Sequence, residues 1–344
     1  MATVLGTSSR DIALIAEALE QGQIGFLFGA GMSVASGGLP SRELAYQILR
    51  KTEFADVKDD DVVAKARIQE IAAEYPLEAL AQGVELTLPT MHEGLISLLR
   101  KAIFGDDEPK PHNGHKRLGT IINRWQTMKM IFTTNWDNLL EDGIGSSAKT
   151  VSIQNAEVTL YHLYEILQQK TAVIHLHGTF DDTPLICEKD LIDPERPLFQ
   201  LFLGELLSKS FVFVGYSLSD PNIHALYSRA RDLLTKRDKT LGKKSYVVFP
   251  PRDDFDYRVS NAVWRQRGAT YIPLTAEEFF ERLYNELDTR VLAALRGRVM
   301  RRLGMKTIEE LNDKVAELVD VFPDFGNNVQ VLLYLDSITR GRSE

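Results

Sequence analysis

The sequence has almost no cysteine: of its 344 residues, Cys187 alone carries a thiol. One thiol forms neither an internal disulfide nor a multi-cysteine zinc site, which points to a reducing cytoplasmic setting and a chain without zinc. No apolar run reaches the roughly 18 residues that a membrane span needs. Met1 to Arg10 also lacks the basic-then-apolar order of a signal peptide, so no membrane role is expected. Positive charge is in deficit, with 40 Lys and Arg against 48 Asp and Glu and a net charge of −8. That balance excludes a chain-wide surface for nucleic acid or anionic lipid, while leaving room for a local basic patch. Internal repeats and low-complexity tracts are missing as well. What remains is an ordinary soluble composition, 44% hydrophobic and 26% charged, on a chain long enough for one large domain or two smaller ones.

The stretch that organises the rest is Gly25 to Pro40. Ile24 to Phe28 is a short apolar run of the kind a buried parallel strand shows. The chain then breaks into glycine and serine, through Gly29, Ala30, Gly31, Ser33 and Ser36, and re-enters a helix near Ser41. A strand that passes through small residues into a helix is how α/β proteins hold a pyrophosphate. Without Cβ atoms at Gly29 and Gly31, the backbone is expected to approach the phosphates and aim its N–H groups at them. The spacing is not the GxGxxG of dehydrogenases, and no acidic residue follows at the end of a second strand. Taken alone, the loop reads equally as a nucleotide site or as a tight structural turn.

Elsewhere apolar strands alternate with helices, the pattern of an α/β, doubly wound parallel sheet. Strands are expected at Lys129–Thr134, Thr150–Ile153, Ala172–Gly178, Phe211–Gly215, Ser245–Phe249 and Thr270–Pro273. Helices are expected at Asp11–Gln21, Ser41–Lys51, His115–Trp125 and Leu198–Leu207. Residues 53–110 carry three amphipathic stretches, Val62–Tyr75, Leu77–Leu88 and Met91–Phe104, more than one crossover requires. They read as a helical insertion over the ligand edge of the sheet, where lids sit. After Leu274 the chain is wholly helical: Thr275–Leu287, Arg290–Leu303, Lys306–Phe322 with a capping box at Thr307 and Glu310, and Val329–Thr339. Residues 1–285 then form the catalytic domain, and 286–344 a helical extension for oligomer or partner contacts.

In an open parallel sheet, ligands lie beyond the carboxyl ends of the strands. Four strands here end in polar or small residues: the Gly29 loop, Asn135 with Asp137, His177, and Gly215 with Ser217. Each has a structural reading of its own. His177 before Gly178 suits a hydrogen-bonded turn, Asn135 and Asp137 suit helix caps, and Ser217 and Asp220 suit a cap before Pro221. Four such endings on one edge favour a single built site.

In these pieces the chain resembles the sirtuin, or silent-information-regulator, family. GAGMSVASGGLP at Gly29–Pro40, PHNGH at Pro111–His115, TTNWD at Thr133–Asp137, HLHG at His175–Gly178 and GYSLSDPNI at Gly215–Ile223 match it in order and spacing over roughly residues 20–275. The resemblance implies a Rossmann-like core in which Gly29, Ala30, Gly31, Ser33 and Ser36 hold the NAD pyrophosphate. It puts Asn135 and Asp137 near the nicotinamide and its ribose, and makes His177 the catalytic base. Gly215, Ser217 and Asp220 fall to the adenosine half. The chain departs from protein-deacylating members in lacking their four-cysteine zinc module. It also has His175 where they usually carry glutamate, and no recognisable acyl-lysine groove between Phe180 and Arg196. It looks more like the zinc-free bacterial branch, whose members are commonly NAD-cleaving effectors of anti-phage defence.

That resemblance implies an NAD+ hydrolase that releases nicotinamide and ADP-ribose with water as acceptor, acting by NAD+ depletion. An asparagine can orient the water, a histidine can take a proton and a carboxylate can bias the developing cation. Two other readings stand beside it: an NAD-dependent deacylase, and a non-catalytic NAD or ADP-ribose-binding module. Because unchecked NAD+ cleavage would kill its host, control is expected from homo-oligomerisation and from a separate partner, an ATPase or a nucleic-acid-guided sensor. Arg296, Arg298, Arg301, Arg302 and Lys306 form a basic cluster that reads as a solvated helix face, with partner contact as the sharper alternative. His112 and His115 fit a helix start and packing. Trp125, Trp136 and Trp264 fit the core, although Trp136 lies inside a site motif.

Overall fold

The computed structural model describes residues 2–52, 57–58, 60–105, 109–152, 161–182, 184–191, 196–216, 220–237, 244–321 and 328–340. They form two compact units, Met1–Glu281 and Arg282–Glu344. The first is built on a seven-stranded sheet: β1 (Ile24–Phe28), β2 (Met130–Thr133), β3 (Ala148–Val151), β4 (Thr171–His175), β5 (Ser210–Val214), β6 (Ser245–Val248) and β7 (Ala269–Ile272). Their order is β3-β4-β2-β1-β5-β6-β7, and every pairing is parallel. The doubly wound expectation therefore holds.

The sheet is parallel because its strands are apolar on both faces. β1 and β4 are buried along their whole length, as strands covered on both sides by helices must be. One face carries Leu27, Phe132, Phe211 and Phe213 against Phe199, Phe202 and Tyr227. The opposite face packs Phe26 and Phe28 on Phe280. From β1 the chain first builds outward through β2, β3 and β4, then returns to add β5 on the other side of β1. The loop after β1 thus lies where the winding reverses, which is the ligand crevice of such sheets.

Residues 62–104 fold as α3 (Val62–Glu74), α4 (Leu77–Glu85) and α5 (Met91–Phe104), after α1 (Ala2–Glu20) and α2 (Ser41–Lys51). Leu44 and Ile48 of α2, Ala81 and Val84 of α4, and Leu95 and Leu99 of α5 share a small core with Ile186 and Cys187. Burial pushes the Cys187 thiol up to about 12, with nearby Glu85 adding to the rise, so it is an unreactive packing group. Among the described residues, no group of three or more His, Cys, Asp or Glu is placed to hold a metal ion.

Among the helices absent from the sequence reading are two in the sheet's crossovers. They are α8 (Leu163–Gln169), following α6 (Asn113–Trp125) and α7 (Leu139–Ile144), and α12 (Asp254–Gln266), following α9 (Glu188–Leu191), α10 (Pro197–Ser208) and α11 (Pro221–Arg237). The expected break near Asp288 is also corrected, because α13 runs unbroken from Ala276 to Leu303. Within it, the Thr289 hydroxyl donates to the Asn285 carbonyl at 2.8 Å. This helix leads into the second unit, where α14 (Ile308–Val321) and α15 (Asn328–Arg340) follow. Leu295, Val299, Leu311, Val315, Val331 and Leu335 are buried together there. The capping box forms, with Glu310 N–H donating to Thr307 Oγ1 at 3.2 Å. Two residues of the basic cluster pair with a buried acid, Arg302 bonding Asp336 at 2.9 Å and Arg298 approaching it at 3.6 Å.

Candidate active site

Register gathers the site. Phe28 of β1 lies level with Thr133 of β2 and Val214 of β5, and Thr133 lies level with His175 of β4. Ala30, Asn135, His177 and Tyr216 each come two residues beyond that row. Four loops therefore leave the sheet at one height and meet over one cleft. Of the expected site residues, Ala30, Ser33, Asn135, Asp137, His177, Gly215 and Asp220 line it. Leu77 and Glu78 of α4 and Ile103 of α5 close it from the insertion side. Gly31 faces an adjoining hollow of about 1320 Å³, which shares Ala30, Gly215 and Tyr216 and adds Arg42, Arg252 and Trp264. Gly29 and Ser36 are outside both linings, and Ser217 lies outside the described residues.

The glycines let two loops approach closely. A Cβ on Gly29 would stand 2.6 Å from the Tyr216 ring, and one on Gly31 would stand 2.8 Å from Gly215 Cα. Their N–H groups are also spent within the protein: Gly29 donates to Val214 O at 3.0 Å and Gly31 to Gly215 O at 2.9 Å. Gly215 has φ of +62°, and a Cβ there would meet Met32 N at 2.4 Å. The three glycines therefore interlock the β1 and β5 loops. Ser36 Oγ accepts from His112 N–H at 3.2 Å. The His112 ring bonds the Met32 carbonyl at 2.8 Å through Nε2 and caps α6 by accepting from Gly114 N–H. His115 packs against it, wholly buried, and burial drops its pKa to about 3, so it stays neutral.

Asn135 is held from several sides. Its N–H donates to Thr133 Oγ1 at 3.0 Å, and its Nδ2 donates to Gly29 O at 3.2 Å and Ser33 Oγ at 3.0 Å. Ser33 in turn donates to Asp137 Oδ2 at 2.8 Å. A carbonyl and a donating hydroxyl both require N–H from the amide, so its orientation is dictated and Oδ1 is the atom turned away from them. Asp137 Oδ1 accepts from Leu139 N–H at 3.1 Å, which makes it a helix cap as well as a cleft residue. Burial raises the Asp137 carboxyl above its ordinary value, against the pull of Ser33, Leu139 and His175.

His177 stands on the turn after β4, where Gly178 takes φ of +72°. Its Nε2 lies 2.8 Å from Asp220 Oδ2. The pair is at ion-pair distance without hydrogen-bond alignment. Asp220 Oδ1 meanwhile accepts from Asn222 and Ile223 N–H, capping α11. Burial opposes ionisation of Asp220, yet the His177 charge and these donors hold its carboxyl below the ordinary range. Trp136 Nε1 and Tyr216 Oη are buried, line the same cleft and have no protein hydrogen-bond partner.

Residues 129–272 match the family model described as SIR2-like domain. The chain is 24% identical over 234 residues to a protein named NAD(+) hydrolase ThsA from Enterococcus faecium, covering 66% of this chain and 44% of that protein. It is 27% identical over 250 residues to one of the same name from Acinetobacter baumannii (strain 532279), covering 71% and 45%. It thus spans less than half the length of these curated relatives. Among solved structures, a Sir2 homologue in complex with NAD aligns over 80% of this chain and 94% of its own, at 14% identity and a TM-score of 0.47. Over residues 129–272 the chain is thus similar to a SIR2-like domain.

Proposed function

We propose that the chain is an NAD+ hydrolase, cleaving NAD+ to nicotinamide and ADP-ribose in the cleft beside the β1 loop. The observation that carries this reading is the meeting of Asn135, Asp137 and the His177–Asp220 pair in one cleft, beside two buried donors without partners. Buried groups of this kind are ordinarily completed by ordered water or a polar ligand. The curated relatives named NAD(+) hydrolase support the same substrate.

The glycosidic bond to nicotinamide breaks as positive charge builds on the ribose, and the site's work is to stabilise that charge and place a water. Asn135 Oδ1 orients the water or a ribose hydroxyl. His177 accepts the proton, and Asp220 steadies the imidazolium that results. Asp137, fixed by Ser33 and Leu139, faces the nicotinamide end. The adjoining hollow with Arg42 and Arg252 takes the adenosine half.

The wider role follows from the resemblance and is part of the proposal: an effector of bacterial anti-phage defence, cytoplasmic, acting by NAD+ depletion. The second unit supplies contacts for homo-oligomerisation or for a separate sensor protein. Among the described residues, no helix is long and apolar enough to cross a membrane. Incubation of the purified chain with NAD+ alone tests the activity. Release of nicotinamide and ADP-ribose without peptide is the expected result. Release only with an acylated peptide would replace the hydrolase by a deacylase, and tight binding without release would replace it by a binding module.

A further inference from the structure

His175 lies beneath the cleft, wholly buried, and the proposed mechanism assigns it no step. Its Nδ1 is 2.9 Å from the main-chain carbonyl of Asn135. Its Nε2 is 2.9 Å from Glu141 Oε1, on α7. Both neighbours are acceptors only. A neutral imidazole carries one N–H, so it would satisfy one of them and point a lone pair at the other. Both contacts are met together only when both ring nitrogens carry protons. Glu141 is also fixed from the far side, where Thr150 Oγ1 of β3 donates to Oε1 at 2.8 Å.

The geometry points to His175 as a positioning residue: a buried imidazolium, neutralised by Glu141, that fixes the Asn135 main chain and so aims the Asn135 amide at the ribose. The inference rests on the NAD+-cleaving reading for its functional consequence, but not for its structural content. The charged groups facing the ring are Glu141 on α7 and Asp137 on the loop after β2. Burial alone would strip the proton from the ring, and the attraction of Glu141 overrides it, leaving the pKa above the ordinary histidine value. The reciprocal effect holds the Glu141 carboxyl below its ordinary value despite burial. A buried ion pair is weak support for stability, since desolvation consumes much of its attraction. Its value here is orientational. Asn135 leaves the strand ladder at this point, and its N–H and C=O are both taken by side chains, Thr133 and His175. Removing the second grip frees the peptide plane that carries the amide.

Two measurements on the full chain test this. The first is independent of turnover. In 15N-histidine NMR of the protein without NAD+, with the His175 signal assigned by its loss in His175→Asn, both ring nitrogens should be protonated at neutral pH. In Glu141→Gln the ring should lose that proton about one to three pH units lower than in the wild type, the range an adjacent opposite charge commands. A ring that is neutral in the wild type at pH 6 to 7, or that titrates unchanged in Glu141→Gln, overturns the inference. The second is kinetic. Glu141→Gln should lower kcat about tenfold or more with KM changed less than about threefold, and should move the alkaline limb of the kcat profile down by the same interval. Thr150→Val, which leaves the ion pair intact, should shift that limb in the same direction but less. A Glu141→Gln enzyme with an unmoved profile also overturns it. If the wild type failed to cleave NAD+, the proposed function would fall while the NMR result still decided the state of His175.

Discussion

His177 Nε2 and Asp220 Oδ2 stand 2.8 Å apart at the mouth of the cleft, joining the end of β4 to the start of α11. One Asp220 oxygen caps the helix and the other faces the imidazole, so helix and imidazole are held by a single carboxyl group. Asp220→Asn keeps the capping oxygen and removes the charge. NAD+ cleavage should fall about 10–100-fold, as when a reacting imidazole loses the partner that orients it, while the melting temperature moves little. Steady-state kinetics with a thermal scan of the same preparation checks this; unchanged kcat would return Asp220 to a purely capping role.

His177→Ala and Asn135→Ala should each lower turnover by about 10²–10⁴-fold, the range of a general base or its positioned water. Circular dichroism should show both variants folded. Single-turnover nicotinamide release is the measurement, and near wild-type release by either variant would remove the role assigned to it.

Gly215→Ala should disrupt the junction of the β1 and β5 loops. The position has left-handed φ and no room, a Cβ there meeting Met32 N at 2.4 Å. Strained backbone and overpacking each cost about 1–3 kcal/mol. Urea unfolding should show a loss of at least that order. Gly37→Ala, also left-handed at φ of +95° but with nothing within 4 Å of its Cβ, should lose less. Equal losses would mean that the two loops do not interlock.

Glu85, 2% exposed on α4, gives the insertion its own acid sensitivity. Burial pushes its carboxyl up, but Lys189 and His92 outweigh burial and leave it below the ordinary glutamate value. For a lowered carboxyl, the stabilisation is complete above the unfolded-state value and is lost as pH falls through the folded one. Protection factors for hydrogen exchange across α4 and α5 should therefore fall as pH drops through and below the ordinary glutamate range in the wild type. In Glu85→Gln they should already be low at neutral pH and nearly independent of pH. A wild-type protection pattern in that variant would refute the assignment.

The strands and the cleft were legible in the sequence because buried parallel strands are continuous apolar runs and their endings are polar. Asn135, Asp137 and His177 could be gathered into one site from those endings alone. The partners that orient them could not. Asp220 precedes Pro221 and carries the local signature of a cap, which it also is; only the crossing of β4 and α11 brings its other oxygen to His177. Glu141 and Thr150 have no motif signal at all, because their meeting with His175 depends on the placement of α7 and β3 beside β4. Gly29 and Gly31 left a nucleotide site and a tight structural turn equally open, because spacing cannot distinguish closeness to phosphate from closeness to another loop.

The segment after His177 is tied at both ends. Leu185 N–H bonds the His177 carbonyl at 2.7 Å, and a few residues on, Ile186 and Cys187 enter the core of the insertion while Lys189 reaches Glu85. The cover of the cleft and the perch of the imidazole are thus opposite ends of one short tether.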